Sequence, residues 1–247
     1  MDLDHVALAA TDAAAPLARF VAELGGTVLS GGQFLGFRPV QVRVGDARRG
    51  MTVELLEPWD AARNDFLARF LAVHGDGPHH LTFKVDDFDA ALERVAATGR
   101  TPVGVNRSDP NWMEAFLVPR EACGTVVQLA AQQAPGPDFA ARFAEAQAEG
   151  PIGSPAWWPP LPAPAPDVAV LERVVVRTPD LDQARAFFGD LLTGAEETVE
   201  PGALGLCWPG GGRLRLESGH ASAGIDRLEL AGDALERILA GTRVLGS

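Results

Sequence analysis

The sequence contains no tyrosine, only two cysteines and only five histidines among its 247 residues. Cys123 and Cys207 lie far apart and form neither a CxxC pair nor a Cys/His cluster, so the sequence predicts no disulfide framework and no thiolate zinc site. Basic residues are also outnumbered, because 33 acidic side chains against 21 basic ones give a formal net charge of -12. Without a basic stripe, the composition argues against nucleic acid as a partner and favours a small-molecule substrate.

Long apolar runs are absent as well. No run approaches the length of a membrane span, and the first residues, MDLDHVALAATD, lack a basic segment ahead of an apolar one. We therefore expect a cytoplasmic protein with no membrane partner. The remaining composition, 47% hydrophobic and 22% charged, is typical of a globular protein of one large or two modest domains.

Four segments of the chain share one pattern, in which a short alternating strand runs into an aspartate and an amphipathic helix follows. The segments are LDHVALAATD, PHHLTFKVDD, LERVVVRTPD and IDRLELAGD. An aspartate suits a helix N-cap because its carboxylate accepts hydrogen bonds from free backbone N–H groups. The predicted caps are Asp12, Asp87, Asp180 and Asp233. Helices are predicted over AAAPLARFVAEL, FDAALERVAAT, LDQARAFFGDLLT and ALERILA, each followed by glycine.

Three further strands follow each of the first two helices, so the repeated unit is βαβββ and occurs twice in residues 1–133. A helix and a proline-rich stretch over residues 134–167 form a linker, because proline can neither continue a helix nor join a central strand. Residues 168–247 contain a third copy and an incomplete fourth one. We therefore expect an α+β protein of three parts: paired modules at 1–133, the linker at 134–167, and a degenerate, truncated βαβββ half at 168–247.

The stretch GPHHLTFKVDDF places two of the five histidines side by side at the start of a predicted strand. Because successive side chains of a strand point to opposite faces, His79 shares a face with the apolar Leu81 and Phe83. His80 lies on the polar face, and the equivalent position in the first repeat is His5. We expect His5 and His80, but not His79, to be ligands.

The last strand of each repeat carries an oxygen ligand at a matching position. Glu54 in TVELL follows His5 at nearly the same interval as Gln128 in TVVQLA follows His80. A glutamate inside an apolar strand is costly unless it is paired. Two imidazoles, a carboxylate and an amide oxygen suit one divalent metal ion, with positions left for water or substrate. The residues therefore predict a metal site whose ion is Co, Mn, Ni, Zn or Fe, the identity being left open.

These segments resemble the vicinal oxygen chelate superfamily, which includes glyoxalase I, methylmalonyl-CoA epimerase, extradiol dioxygenases and bleomycin-resistance proteins. The motifs DHVALAATD, VELLEP and GPHHLTFKVDDFDAALERV are most similar to those of methylmalonyl-CoA epimerase. The resemblance covers residues 1–133 well and residues 168–247 weakly. It implies that two βαβββ modules form a half-barrel around one metal ion held by the four residues named above.

The chain departs from the epimerase pattern in its placement of glutamate and glutamine. The resemblance implies glutamine where this chain has Glu54, glutamate where it has Gln128, and a catalytic glutamate where it has Gln41. An amide cannot abstract a proton. Glu114 is nearly the counterpart of Gln41 in the second repeat, so glutamate and glutamine have exchanged places. We expect Glu114 or Glu54 to be the catalytic residue; an exposed strand residue is the alternative for Glu114.

The predicted function is that of a metal-dependent isomerase, epimerase or lyase that acts through an enolate of a small carbonyl, carboxylate or thioester substrate. Two alternatives stay open. The first is an Fe(II)-dependent ring-cleaving dioxygenase of the extradiol type, and the second is a non-catalytic small-molecule or antibiotic-binding protein. A homodimer is also left open.

In the C-terminal half, arginine occupies both histidine positions, at Arg173 and Arg227, and the last-strand acid is Glu217. Arginine does not bind metal ions. We therefore expect an ion-pair cluster of these three residues where a second metal ion would otherwise lie.

Overall fold

The computed structural model describes residues 1–133, 138–153, 160–219, 223–232 and 236–246. The strands of the first sheet are β1 (Asp2–Ala9), β2 (Thr27–Gly31), β3 (Gly36–Gly45), β4 (Gly50–Trp59), β5 (Gly77–Lys84), β6 (Val103–Asn106), β7 (Met113–Leu117) and β8 (Val126–Ala131). Those of the second sheet are β9 (Leu171–Thr178), β10 (Ala195–Glu197), β11 (Ala203–Cys207), β12 (Arg213–Ser218), β13 (Gly224–Leu230), β14 (Arg237–Leu239) and β15 (Thr242–Gly246). The helices are α1 (Ala14–Ala22), α2 (Phe66–His74), α3 (Phe88–Ala97), α4 (Phe139–Glu149) and α5 (Leu181–Ala184).

The two sheets repeat one strand order. The first sheet runs β2-β3-β4-β1-β5-β8-β7-β6, and the second runs β10-β11-β12-β9-β13-β15-β14. Within each repeat the later strands pair antiparallel, as β3 does with β4 and β7 with β8, whereas β5 pairs parallel with β8. Sheets built from βαβββ-like modules and flanked by helices confirm the predicted α+β class.

The predicted aspartate caps lie at helix starts. Asp87 caps α3, where its Oδ1 accepts a hydrogen bond of 3.0 Å from the backbone N of Ala90. Asp180 caps α5 in the same way. The prediction for Asp12 was wrong by one residue, because the N-cap of α1 is Ala13; Oδ1 of Asp12, just before it, accepts from the backbone N of Ala14. The remaining predicted cap, Asp233, lies outside the described residues.

One predicted helix was wrong, and one helix was not predicted. The described part of the segment ALERILA is not helical, because Arg237–Leu239 form strand β14, which pairs antiparallel with β15. A seven-residue helix is marginal on its own, and here Leu239 is buried in a sheet instead. Helix α2 was missed altogether; it packs through the fully buried Leu67 against Leu56 of β4.

The predicted helix LDQARAFFGDLLT changes type along its length. After α5, residues Arg185–Leu191 form a π-helix, and the backbone N of Leu192 donates to the carbonyl of Phe187, five residues earlier. The wider turn buries both Phe187 and Phe188.

One compact unit consists of residues 1–5, 79–136 and 173–226. Its core is aromatic: the ring of Phe83 on β5 lies 6.3 Å from that of Phe188 and 5.2 Å from that of Trp208. Trp208 is held in place because its indole Nε1 donates to the carbonyl of Leu192.

A second compact unit consists of residues 6–78, 137–172 and 227–247. Within it, Arg19 of α1 donates to the carbonyl of Ile238 on β14 at 2.7 Å. The domain limits expected from the sequence, 1–133, 134–167 and 168–247, stay a prediction. Among the described residues, no helix has both the length and the apolar character needed to span a bilayer.

Candidate metal centre

His5 is completely buried on β1, and one of its ring nitrogens is already committed. Its Nδ1 lies 2.7 Å from Oδ2 of Asp4, and Oδ1 of Asp4 lies 3.1 Å from the ammonium group of Lys84. Burial alone would raise the pKa of Asp4, but the hydrogen bond with His5 and the charges of His5 and Lys84 together hold that pKa below its ordinary value. Nε2 is therefore the atom that His5 can offer to a ligand.

His80 is buried on β5 and contacts its neighbour in the chain. Its Nδ1 lies 2.7 Å from Nδ1 of His79, whereas its Nε2 has no hydrogen-bond partner among the described residues. Burial lowers the pKa of His80 well below 6.5, and repulsion from His79 and His5 when they are protonated lowers it further. His80 is therefore a neutral imidazole near neutral pH, which is the form that binds metal ions.

Gln128 on β8 is hydrogen-bonded at both ends of its amide. Its Oε1 accepts a 2.6 Å hydrogen bond from Oγ1 of Thr82, and its Nε2 donates a 2.7 Å hydrogen bond to Oε2 of Glu114. The Gln128 amide offsets part of the lowering of the pKa of His80. It does not form a hydrogen bond with Nε2 of that ring. Glu114 is half-buried on β7 beside it.

The first module contains the same pair of side chains with the strands exchanged. Gln41 on β3 faces Glu54 on β4 in register, and Nε2 of Gln41 lies 3.3 Å from Oε1 of Glu54. Ser30 on β2 has the same hydrogen-bonding role as Thr82, because its Oγ donates to Oε1 of Gln41 at 3.3 Å. Each module thus carries one amide hydrogen-bonded to one carboxylate.

Three of the predicted ligands come together. One ligand atom each from His5, Glu54 and His80 lies within 4.8 Å of the others, which makes these residues a group that could hold a metal ion. Two imidazoles and a carboxylate are a donor set for divalent first-row metals, and a buried Nε2 without a partner on His80 fits such an ion. The part of Gln128 as a fourth ligand stays a prediction, as does the exclusion of His79.

Aromatic rings line the two histidines. The ring of Trp112 stacks on His5 at 6.5 Å with an interplanar angle of 20°, and the ring of Phe116 meets His80 edge-on at 6.3 Å. The ammonium of Lys84 also lies 5.7 Å from the Trp112 ring. Sequence reasoning missed these rings and the Asp4 contact, although the adjacent letters DH and HH were a signal that each histidine has a polar neighbour.

The C-terminal half contains ion pairs between residues of one strand. Arg227 bonds Glu229 at 2.8 Å and Arg215 bonds Glu217 at 2.9 Å, so each arginine contacts the acid two residues further along its own strand. The predicted convergence of Arg173, Glu217 and Arg227 stays a prediction.

Comparisons with known proteins agree with this architecture. Residues 4–116 match the family described as the glyoxalase, bleomycin resistance protein and dioxygenase superfamily, which confirms the resemblance to the vicinal oxygen chelate group. A hypothetical protein from Staphylococcus aureus superposes with a TM-score of 0.65 over 100% of this chain and 98% of its own, at 11% identity, and therefore shares the fold.

Two further solved structures superpose on about half of the chain. The methylmalonyl-CoA epimerase of Mycobacterium tuberculosis is 27% identical, with a TM-score of 0.47 over 54% of this chain and 89% of its own. A variant of the Streptomyces coelicolor enzyme, in complex with 2-nitronate-propionyl-CoA, is 24% identical, with a TM-score of 0.48 over 54% and 99%. No curated protein matches the sequence.

Proposed function

We propose that this chain, whose residues 4–116 match the glyoxalase, bleomycin resistance protein and dioxygenase superfamily, is a metal-dependent isomerase, epimerase or lyase. The metal ligands would be His5, Glu54, His80 and Gln128. The substrate would be a small carbonyl, carboxylate or thioester compound. The observation that carries the proposal is the His5, Glu54 and His80 group, with its buried, neutral His80.

The side chains of the group favour a cation over a structural role. Nε2 of His80 is buried without a hydrogen-bond partner among the described residues, which is unfavourable unless a group such as a cation satisfies its lone pair. A divalent metal ion bound there would stabilise negative charge that develops on the oxygens of a carbonyl substrate. The rings of Trp112 and Phe116 beside the histidines would limit the access of water to that charge.

Proton transfer is assigned to Glu114. Enolisation requires a base that removes a proton from the carbon next to the carbonyl group, and an amide such as Gln41 cannot do this. The Glu114 carboxylate accepts a hydrogen bond from Nε2 of Gln128, which holds it beside a proposed metal ligand. Glu54 is the alternative base, but its proposed role as a metal ligand makes its lone pairs less basic.

A second candidate function rests on the same three side chains. Two histidines and one carboxylate with open positions are also the donor set of non-haem Fe(II) oxygenases. The identity of the bound metal therefore separates enolisation chemistry from ring-cleaving oxygen chemistry.

The test is the metal content of protein purified without chelators. We expect one equivalent of Co, Mn, Ni or Zn per chain, and most of it should be lost in His80→Ala. His74→Ala is the matched control, because His74 is an exposed histidine on α2 and should retain the full equivalent. Bound iron would favour the dioxygenase. Protein that neither contains a metal nor takes up added Co²⁺ would overturn the metal site and favour a non-catalytic binding protein.

A further inference from the structure

We propose that the residue directly before each histidine, Asp4 for His5 and His79 for His80, is a positioning residue that fixes which ring nitrogen carries the proton. In both rings the proton would sit on Nδ1, so that the lone pair of Nε2 is directed at the metal site. This inference rests on the proposed function, since it states how the two imidazoles are prepared for a cation. It assigns roles to two residues that are not themselves ligands.

The assignment for His5 follows from the chemistry of its partner. A carboxylate can only accept hydrogen bonds, so the 2.7 Å contact between Nδ1 of His5 and Oδ2 of Asp4 requires the proton on Nδ1. The other oxygen of Asp4 is held 3.1 Å from Nζ of Lys84. This second contact prevents the carboxylate from rotating away, and the ring of Trp112 stacks on His5 from the side. The proton, the ring and its partner are therefore fixed together.

The position of the proton on His80 follows from the surroundings of its two ring nitrogens, Nδ1 and Nε2. Its Nδ1 and that of His79 lie 2.7 Å apart, so one of the two nitrogens carries a proton and the other accepts it. If His79 were the donor, the proton of neutral His80 would sit on Nε2, a buried atom with no hydrogen-bond partner among the described residues. His80 must therefore be the donor and His79 the acceptor. His79 is only half-buried, so its own Nε2 can donate elsewhere.

The hydrogen bonds that the two positioning residues accept differ in strength. Both contacts are 2.7 Å long, but a hydrogen bond to a carboxylate is charge-assisted and therefore stronger than one to a neutral imidazole, and it raises the basicity of the ligating nitrogen more. Loss of Asp4 should therefore weaken metal binding more than loss of His79. Loss of an outer partner of a metal-binding histidine typically weakens metal affinity about 10-fold to 100-fold.

The first measurement is the protonation pattern of the rings in the metal-free protein, read by two-bond ¹H–¹⁵N NMR of ¹⁵N-histidine-labelled protein. We expect the Nδ1–H form for both His5 and His80. Asp4→Ala and His79→Ala should convert the adjacent ring to a mixture of forms. Asp4→Asn and His79→Asn should restore the Nδ1–H form, because each amide oxygen can still accept the hydrogen bond. A wild-type His80 with its proton on Nε2, as it would need in order to donate to Gln128, would overturn the proposal.

The second measurement is Co²⁺ affinity by competition titration. Asp4→Ala and His79→Ala should bind Co²⁺ about 10-fold to 100-fold more weakly, with the larger loss for Asp4. The matched controls, Asp86→Ala and His74→Ala, replace exposed residues and should bind like the wild type. Affinities within about twofold of the wild type for both test variants would overturn the positioning roles. If the wild type itself binds no Co²⁺, the proposed function fails, whereas the spectra of the metal-free protein still decide the protonation pattern.

Discussion

Each of the two modules carries one carboxylate and one amide side chain near the proposed site. In one module the carboxylate is Glu54 and the amide is Gln41; in the other the carboxylate is Glu114 and the amide is Gln128. The carboxylate lies on the last strand in the first case and on the strand before it in the second. Two carboxylates on non-equivalent strands are expected to serve different purposes, one as ligand and one as base.

The Glu114→Gln variant separates these purposes. The amide preserves the size of the side chain but cannot accept a proton, so the rate of α-hydrogen exchange into D₂O on a carbonyl or thioester substrate should fall by about 10²-fold to 10⁴-fold. The Co²⁺ affinity should stay close to that of the wild type. Glu145→Gln, on the exposed face of α4, is the control and should change neither quantity. An exchange rate in Glu114→Gln equal to that of the wild type would remove Glu114 from the chemistry.

Among the secondary-structure elements, the helix caps depend most directly on residues that are close together in the sequence. Asp87 accepts from the backbone N of Ala90, whereas its neighbour Asp86 is exposed and lies before the helix. We expect Asp87→Ala to lower the free energy of unfolding by about 1 kcal/mol, and Asp86→Ala by less than about 0.5 kcal/mol. Urea denaturation of the two variants checks this. Equal losses would mean that the cap hydrogen bond does not contribute.

Elements that depend on such local signals could be predicted, and those that depend on distant partners could not. The strand, cap and helix at PHHLTFKVDDFDAALERVAAT are encoded within 21 consecutive residues and have the predicted order. Strand β14 was mistaken for a helix because its amphipathic spacing fits both structures, and only its pairing with β15 decides between them. The π-helix likewise depends on the aromatic core around Phe188, which the spacing of apolar residues does not reveal.

The candidate site was predictable to a similar extent. The repeat related His5 to His80 without any structure, because alternation along a strand fixes which face a side chain occupies. The contacts that orient those rings could not be derived in this way. Asp4 and His79 precede the histidines and should point to the opposite face of an ideal strand, yet both contact Nδ1 of the next residue. Side-chain torsions decide this, and they are not encoded in a pattern of alternation.

For the molecule as a whole, the buried His80 makes stability depend on pH. Its pKa is lowered in the folded state, so below pH 6.5 the unfolded chain binds more protons than the folded protein. The metal-free protein should therefore lose free energy of unfolding as the pH falls from 6.5, by at most about 1.4 kcal/mol per pH unit for this group. The lowered pKa of Asp4 acts only below 3.8, in a separate range.

Urea denaturation of metal-free protein between pH 7 and pH 5 measures this dependence. His80→Gln keeps a polar side chain but has no titrating group, so its unfolding free energy should vary less steeply over this range than that of the wild type. His74→Ala is the control and should retain the wild-type slope, because His74 is exposed. Parallel slopes for the wild type and His80→Gln would show that His80 is not the group responsible.

Each compact unit contains contacts between segments that are far apart in the sequence, and these contacts affect when the protein can fold during its synthesis. Asp2 accepts a hydrogen bond from the backbone N of Gly210, 208 residues later, and Arg19 donates to Ile238, 219 residues later. During translation, the first two modules emerge from the ribosome long before these partners exist. Folding of the second unit can therefore be completed only after Ile238 on β14 has been synthesised.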